Sequence, residues 1–291
     1  MHTFLRAVGF SKIKDRKSLD ALLGEVMAHP DIKKKHRISI DEDFVEMSKK
    51  FGDSFGITIR GTYDEKGFFH VEHYFPYLNG ITESIREEMT VSKKSEDRAF
   101  AVMCDDIRLG VLLIFYLQNT IDYIKCIEKY GEIQPINIAY ISGLSIEGKI
   151  ILPVLKNSDE EKEQKEFNRN RNKMISEARN GDQDAIESLA VDDIDTYMEI
   201  SKRALNEDLY SIVDTSFYPY GSESDNYSII GTIKSFRVLT NSYSGEIIFD
   251  ITLDCNDVIF NICINQQDLY GTPMVGARFK GSVWLQGRID F

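Results

Sequence analysis

YSIIGTIKSFRVLT (227–240), EIIFDITLDC (246–255), VIFNICINQ (258–266) and ARFKGSVWLQGRI (277–289) follow one another at the end of a chain of 291 residues. Each run reads as a β-strand, rich in the β-branched and aromatic residues that suit a pleated, half-buried surface. The breaks between them hold turn formers: Asn241-Ser242-Tyr243-Ser244-Gly245, Asn256-Asp257 and Gly271-Thr272-Pro273. Gly276, Gly281 and Gly287 suit tight corners. The last third, residues 209–291, therefore reads as a small antiparallel β-barrel of the OB type. Such modules usually bind something and seldom catalyse by themselves.

Upstream of it, residues 157–208 read as an acidic helical connector. Asp159–Glu166 is a charge run, and helix resumes through Met174, Ile175 and Ala178. Asn180-Gly181-Asp182 breaks it. A second helix is expected over Asp184–Leu189, and a third from Asp192 or Asp193 to Leu205.

Residues 1–156 read as an α+β domain with a mostly antiparallel sheet. A strand is expected at Phe4–Phe10, then a helix from Asp15 or Ser18 to Ala28 and a short helix over Asp43–Phe51. Phe55–Tyr63 and Phe68–Leu78 read as a hairpin around Asp64-Glu65-Lys66-Gly67. Strands follow at Glu88–Ser92, Ala99–Asp105 and Gly110–Leu117. Asn119-Thr120 caps a helix over Ile121–Tyr130, and strands at Ile136–Ile141 and Lys149–Leu155 flank a turn at Ser142-Gly143-Leu144-Ser145. A chain this long is large for one core and suits two domains.

A net charge of −12 opposes any large phosphate-binding surface. The basic run Lys33-Lys34-Lys35-His36-Arg37 reads as a solvated loop. From Tyr227 onward five basic residues face six acidic ones, so a nucleic-acid partner is not expected. Cys104, Cys126, Cys255 and Cys263 form no C-x-x-C pair and have no histidine nearby, which fits buried free thiols in a reducing cytoplasm and gives no zinc signature. The opening residues do not make a secretory signal, and the longest apolar run, Gly110–Leu117, falls far short of the ~20 residues that cross a bilayer.

P-loop, G-x-G-x-x-G and G-x-S-x-G signatures are absent from the sequence. Two clusters remain as catalytic candidates. Asp105, Asp106 and Arg108 stand at the end of a strand, where paired carboxylates can hold a hard cation and an arginine can orient an anion. The plainer reading is a polar turn. His70 and Glu72 would share one face of a strand, with His73 on the other, so they could act as acid and base. An exposed strand face is the more ordinary account. Among aromatic residues, Tyr218, Tyr220 and Trp284 are the binding candidates; a core corner and a barrel plug are the plain alternatives. No cofactor and no metal ligand set is expected.

Several strings resemble a family of bacterial proteins of about this length that is known only as a domain of unknown function. They are Met1–Lys12, Cys104-Asp105-Asp106, Leu113–Asn119, Ala178-Arg179-Asn180-Gly181-Asp182, Asp214-Thr215 and Pro219-Tyr220-Gly221. The resemblance implies a bacterial cytoplasmic protein and nothing about activity, and no site residue carries over from it. The sequence thus reads as a non-enzymatic cytoplasmic binding or protein-interaction protein, with self-association open. The alternative is a metal-assisted hydrolase or transferase using Asp105 and Asp106, with Arg108 on the substrate and His70 or Glu72 as base. A third reading, an oligonucleotide binder, lacks the basic face it needs.

Overall fold

A computed structural model describes residues 2–39, 42–94, 99–134, 136–154, 158–205, 207, 209–221 and 224–291. The fold is mixed α+β. Thr3–Val8 is a 3₁₀ turn, not the expected strand. Gly9 ends it in the left-handed region at φ 91°, and its N–H returns to the Arg6 carbonyl. Helix α1 (Arg16–Ala28) starts at Asp15, whose carboxylate accepts from the Ser18 N–H at 2.9 Å.

Strands β1 (Ile32–Arg37), β2 (Asp43–Lys50), β3 (Phe55–Tyr63) and β4 (Phe69–Leu78) form an antiparallel meander in chain order. Two expectations change here. The basic run is an edge strand, not a loop, and Asp43–Lys50 is a strand, not a helix. Phe44, Val45 and Met47 are all buried, so neither period is clean in β2, and ladders to β1 and β3 on its two sides decide the conformation.

The larger sheet begins with β5 (Ile85–Lys93), β6 (Phe100–Asp106) and β7 (Val111–Leu117). Helix α2 (Thr120–Tyr130) leads to β8 (Ile136–Ile151). The helical part follows, with α3 (Ser158–Arg179), α4 (Gln183–Ala204) and the single turn α5 (Leu209–Ile212). The chain then returns to the sheet through β9 (Ser216–Pro219), β10 (Asn226–Thr240), β11 (Ile247–Cys255), β12 (Val258–Asn265), the two-residue β13 (Leu269–Tyr270) and β14 (Arg278–Asp290). Asn256 and Asp257, at φ 54° and 63°, make the tight β11–β12 turn.

One correction matters most. The two strands expected around Ser142–Ser145 are a single 16-residue strand, β8. It pairs antiparallel with β14 from Ile138↔Asp290 to Ile151↔Arg278. Gly143 is there for lack of room: a Cβ would lie 2.2 Å from Cγ1 of Val283. Pairings then run β8–β14–β10–β11–β12 and back to β8, so the hydrogen bonding closes a circuit. A second circuit runs β8–β5–β6–β7–β14 and shares the β8–β14 ladder. The last third therefore closes on a strand from the first half, and the β12–β8 and β14–β7 pairings are parallel.

Two cores follow from strand alternation. Phe115, Gly143, Tyr227, Phe249, Ile251, Phe260, Ile262, Val283 and Leu285 point to the inside of the circuits. Their neighbours Tyr116, Leu144, Ile248, Cys263 and Trp284 point the other way, and are covered by the N-terminal turn, α1 and the meander. Polar side chains pin the meander to this outer face: Gln286 Nε2 donates to the Pro76 carbonyl at 2.7 Å and Ser142 Oγ to that of Leu78 at 2.6 Å.

Two helices, α3 and α4, stand where three were expected between residues 157 and 208. Asp182 caps α4, and the Asp192-Asp193 pair read as a cap lies inside it. Asp193 instead accepts from Arg171 of α3 at 2.7 Å. Among the described residues, no helix is long and apolar enough to cross a membrane.

Candidate functional site

On β14, residues of even number face outward. Lys280, Ser282 and Trp284 therefore share one face. Across the ladder Asn226 stands opposite Trp284, Ser228 opposite Ser282, and Tyr218 opposite Ser228. Tyr220 extends the β9 edge by donating its N–H to the Asn226 carbonyl at 2.8 Å. The three aromatic binding candidates, Tyr218, Tyr220 and Trp284, thus lie on one face. Tyr218 and Tyr220 are exposed, and Tyr220 Oη lies 2.8 Å from Ser282 Oγ.

Trp284 is buried to 6 % exposure, yet it edges an open cleft of about 540 Å³. Rings gather there. The Trp284 ring centroid lies 4.7 Å from that of His2, 5.4 Å from that of Phe4, in a stacked geometry, and 5.4 Å from that of Tyr116. His73 and Asn226 complete the aromatic and amide lining. At the rim the Lys94 ammonium meets the buried Asp225 carboxylate at 2.6 Å. The volume is that of an ordinary small-molecule site, with an apolar floor and a few polar groups at one edge.

Burial, with the neighbouring His73, pushes the His2 imidazole down from 6.5 to about 4. Its Nδ1 is buried and has no hydrogen-bond partner among the described residues. The stability that neutral His2 contributes is therefore complete above pH 6.5, where the unfolded chain is also neutral. It is lost as the pH falls from 6.5 towards about 4, because the unfolded chain takes up the proton first. Trp284 is the single tryptophan of the chain, so its emission reports this cleft alone. We expect acid titration to shift that emission in the same pH window as the N-terminal turn loosens. A His2→Phe variant should give a flat response; an unchanged titration in that variant would show that His2 is not the group responsible.

The other candidates are distributed differently. Asp105 and Asp106 point to opposite sides of β6. Asp105 is exposed and pairs with Arg179 of α3 at 2.9 Å. Asp106 is buried and accepts from Arg108 through both oxygens, with Arg108 Nη2 at 2.6 Å from Oδ2. Arg108 also donates to the Asp257 carbonyl at 2.9 Å and the Ser84 carbonyl at 3.0 Å, so it ties three loops together. His70 lies on the other sheet, 2.9 Å from Asp64 in the β3–β4 turn. Glu72 sits at a register shift: His73 faces Arg60, whereas Val71 faces Gly61. This bulge breaks the expected alternation and turns His70 and His73 to the same side.

Among the described residues, no three His, Cys, Asp or Glu side chains converge as metal ligands. All four cysteines are free and buried, and burial raises the Cys104 and Cys255 thiols to about 12, far from the nucleophilic thiolate. A second cavity of about 460 Å³ beside Arg278 is a joint between segments. There Lys234 pairs with Asp254 at 2.8 Å, and Arg278 donates to the carbonyls of Leu152, Val213 and Tyr210.

Sequence reading missed His2, Phe4, His73, Lys94, Tyr116, Asp225 and Asn226 as one group. Only Asn226 is a ladder neighbour of Trp284. Comparison with curated proteins and with solved structures gives no match. A family model, described as a domain of unknown function from an E. rectale gene description, matches residues 5–287. That span takes in the strands of both sheets almost to the end of β14, the helical part, and the cleft apart from His2, Thr3 and Phe4, and the chain belongs to this family, DUF3881.

Proposed function

We propose that this chain is a non-enzymatic binding protein that takes a small ring-shaped ligand on the Trp284 face. The ligand rests against the parts of Trp284 and Tyr116 that line the cleft, and offers a polar edge to Lys94, Asp225 and Asn226. One observation supports this above the others: the Trp284–Tyr116–His2 ring cluster and a half-buried ion pair line one open cleft. An apolar floor binds through area, and few, well-placed polar groups select among ligands. Because Lys94 and Asp225 neutralise one another, a neutral ring such as a sugar or a nucleoside base fits better than a polyanion. In the same reading, the circuit that contains β10, β11, β12 and β14 is a small barrel of the OB type, which presents ligands across one outer face. The helical part is its acidic connector. Four free, buried thiols favour a reducing compartment, the cytoplasm.

The test is a titration of Trp284 emission with nucleosides, pyranose sugars and aromatic amino acids, beside native mass spectrometry of gently purified protein. A saturable change from one class is expected, weakened in Lys94→Ala and in Asn226→Ala while circular dichroism stays constant. No saturable change from any member, together with a bare native mass, would overturn the proposal.

A further inference from the structure

Helix α4 leaves most of its large apolar side chains in solvent. Val191 is 58 % exposed, Ile194 58 %, Tyr197 73 % and Met198 56 %. Projected down the helix axis, these four fall with Ile186 and Ala190 inside an arc of about 140°. A stripe of this width ordinarily covers a core or a partner. Helix α3 leaves it exposed; Asp193, which accepts from Arg171 of α3, lies just outside the arc, beside Ile186.

Charge says what the stripe accepts. The acids of α4 gather in its first two thirds, at Asp184, Glu187, Asp192, Asp193 and Asp195, with Glu199 beyond them. Lys202 and Arg203 close the last turn. Glu187 and Lys202 are both exposed and make no ion pair among the described residues. Two copies running antiparallel match the acidic start, Asp184 and Glu187, with Lys202 at the other end and set the helix dipoles against one another, while the acids at 192, 193 and 195 stay near the middle of the pair.

We propose that α4 is a self-association helix, pairing antiparallel with α4 of a second copy about a two-fold axis between residues 194 and 195. In that register Val191 lies opposite the second copy's Met198, and Glu187 opposite the second copy's Lys202. The contact uses the same patch on both chains, as a two-fold interface requires. A helix of 22 residues is about 33 Å long, and one helix face falls below the roughly 800 Å² per partner of a standard interface. The dimer is therefore weak and depends on concentration. The cleft at Trp284 is not part of it.

Sedimentation of the full chain over a wide concentration range tests this. Wild type should pass from monomer to dimer, and Met198→Asp should weaken the dimer at least tenfold. Glu187→Lys and Lys202→Glu should each weaken it, and the double variant should restore it. These positions are exposed, so circular dichroism should match wild type throughout. A monomer at every concentration would overturn the proposal and leave the stripe to a different protein. A dimer untouched by Met198→Asp, or a double variant no better than the single ones, would overturn it too.

Discussion

Arg60→Ala is expected to lower stability by about 3–5 kcal/mol, the cost of stranding one partner of a buried ion pair. Arg60 is fully buried on β3, between the two sheets. Its Nε donates to Glu46 at 2.7 Å, Nη1 to the Tyr116 hydroxyl at 2.6 Å, and Nη2 to the Gln118 carbonyl at 2.8 Å. The guanidinium lies 4.7 Å from the centre of the Phe75 ring. Alanine removes every donor at once and leaves Glu46 without its cation.

Burial raises Glu46 above the usual carboxylate range even with Arg60 beside it. Without Arg60 the carboxyl should stay protonated in the folded chain to a still higher pH. A group whose folded pKa is raised favours folding at low pH and loses that contribution as the pH rises. The deficit of Arg60→Ala should therefore grow from acid to neutral pH. Urea unfolding at several pH values checks both claims. A loss below about 1 kcal/mol at neutral pH would mean that water reaches the site. Replacing both partners, as Glu46→Gln with Arg60→Met, should recover part of the loss.

Gly143→Ala is expected to cost about 1–3 kcal/mol, an overpacking penalty, and valine more. The new Cβ would lie 2.2 Å from Val283 Cγ1, and Val283 is buried against Ile262 and Leu285. Neither strand can retreat, because β8 and β14 are paired along their whole common length. Shortening the opposing side chain should relieve the clash, so Gly143→Ala with Val283→Ala should be more stable than Gly143→Ala alone. Failure of that rescue in thermal unfolding would mean that the glycine serves backbone conformation and not space.

These two residues also show where sequence reading stops. The four long strands of the last third were legible to within one or two residues, since each is a dense β-branched run between strong turn formers, whereas the short β9 and β13 were not foreseen. Gly143 carries the same local signal as a turn glycine, but its role depends on Val283, 140 positions away in the chain (283 − 143). The string DFVEMSKK satisfies a helical and a strand period about equally, and only the flanking ladders settle it. Asp192 and Asp193 look like a cap because side chains that cap also tolerate a helix interior when exposed. As for the site, an isolated tryptophan and two tyrosines could be named. Their convergence with His2, Lys94 and Tyr116 could not, because nothing local ties a residue at the N-terminus to β14.

Synthesis order gives the shared β8–β14 ladder a temporal meaning. Translation delivers β8 while its longest partner is still more than a hundred residues from being made. Until β14 emerges, β8 exposes apolar residues and unpaired backbone on a nascent chain. Neither circuit can close before β14 has left the ribosome. Closure thus waits for β14, with long-range pairings that form slowly and are prone to aggregation meanwhile. A truncation of β14 alone should leave a chain that chaperones hold and proteases clear, although 277 of the 291 residues precede that strand.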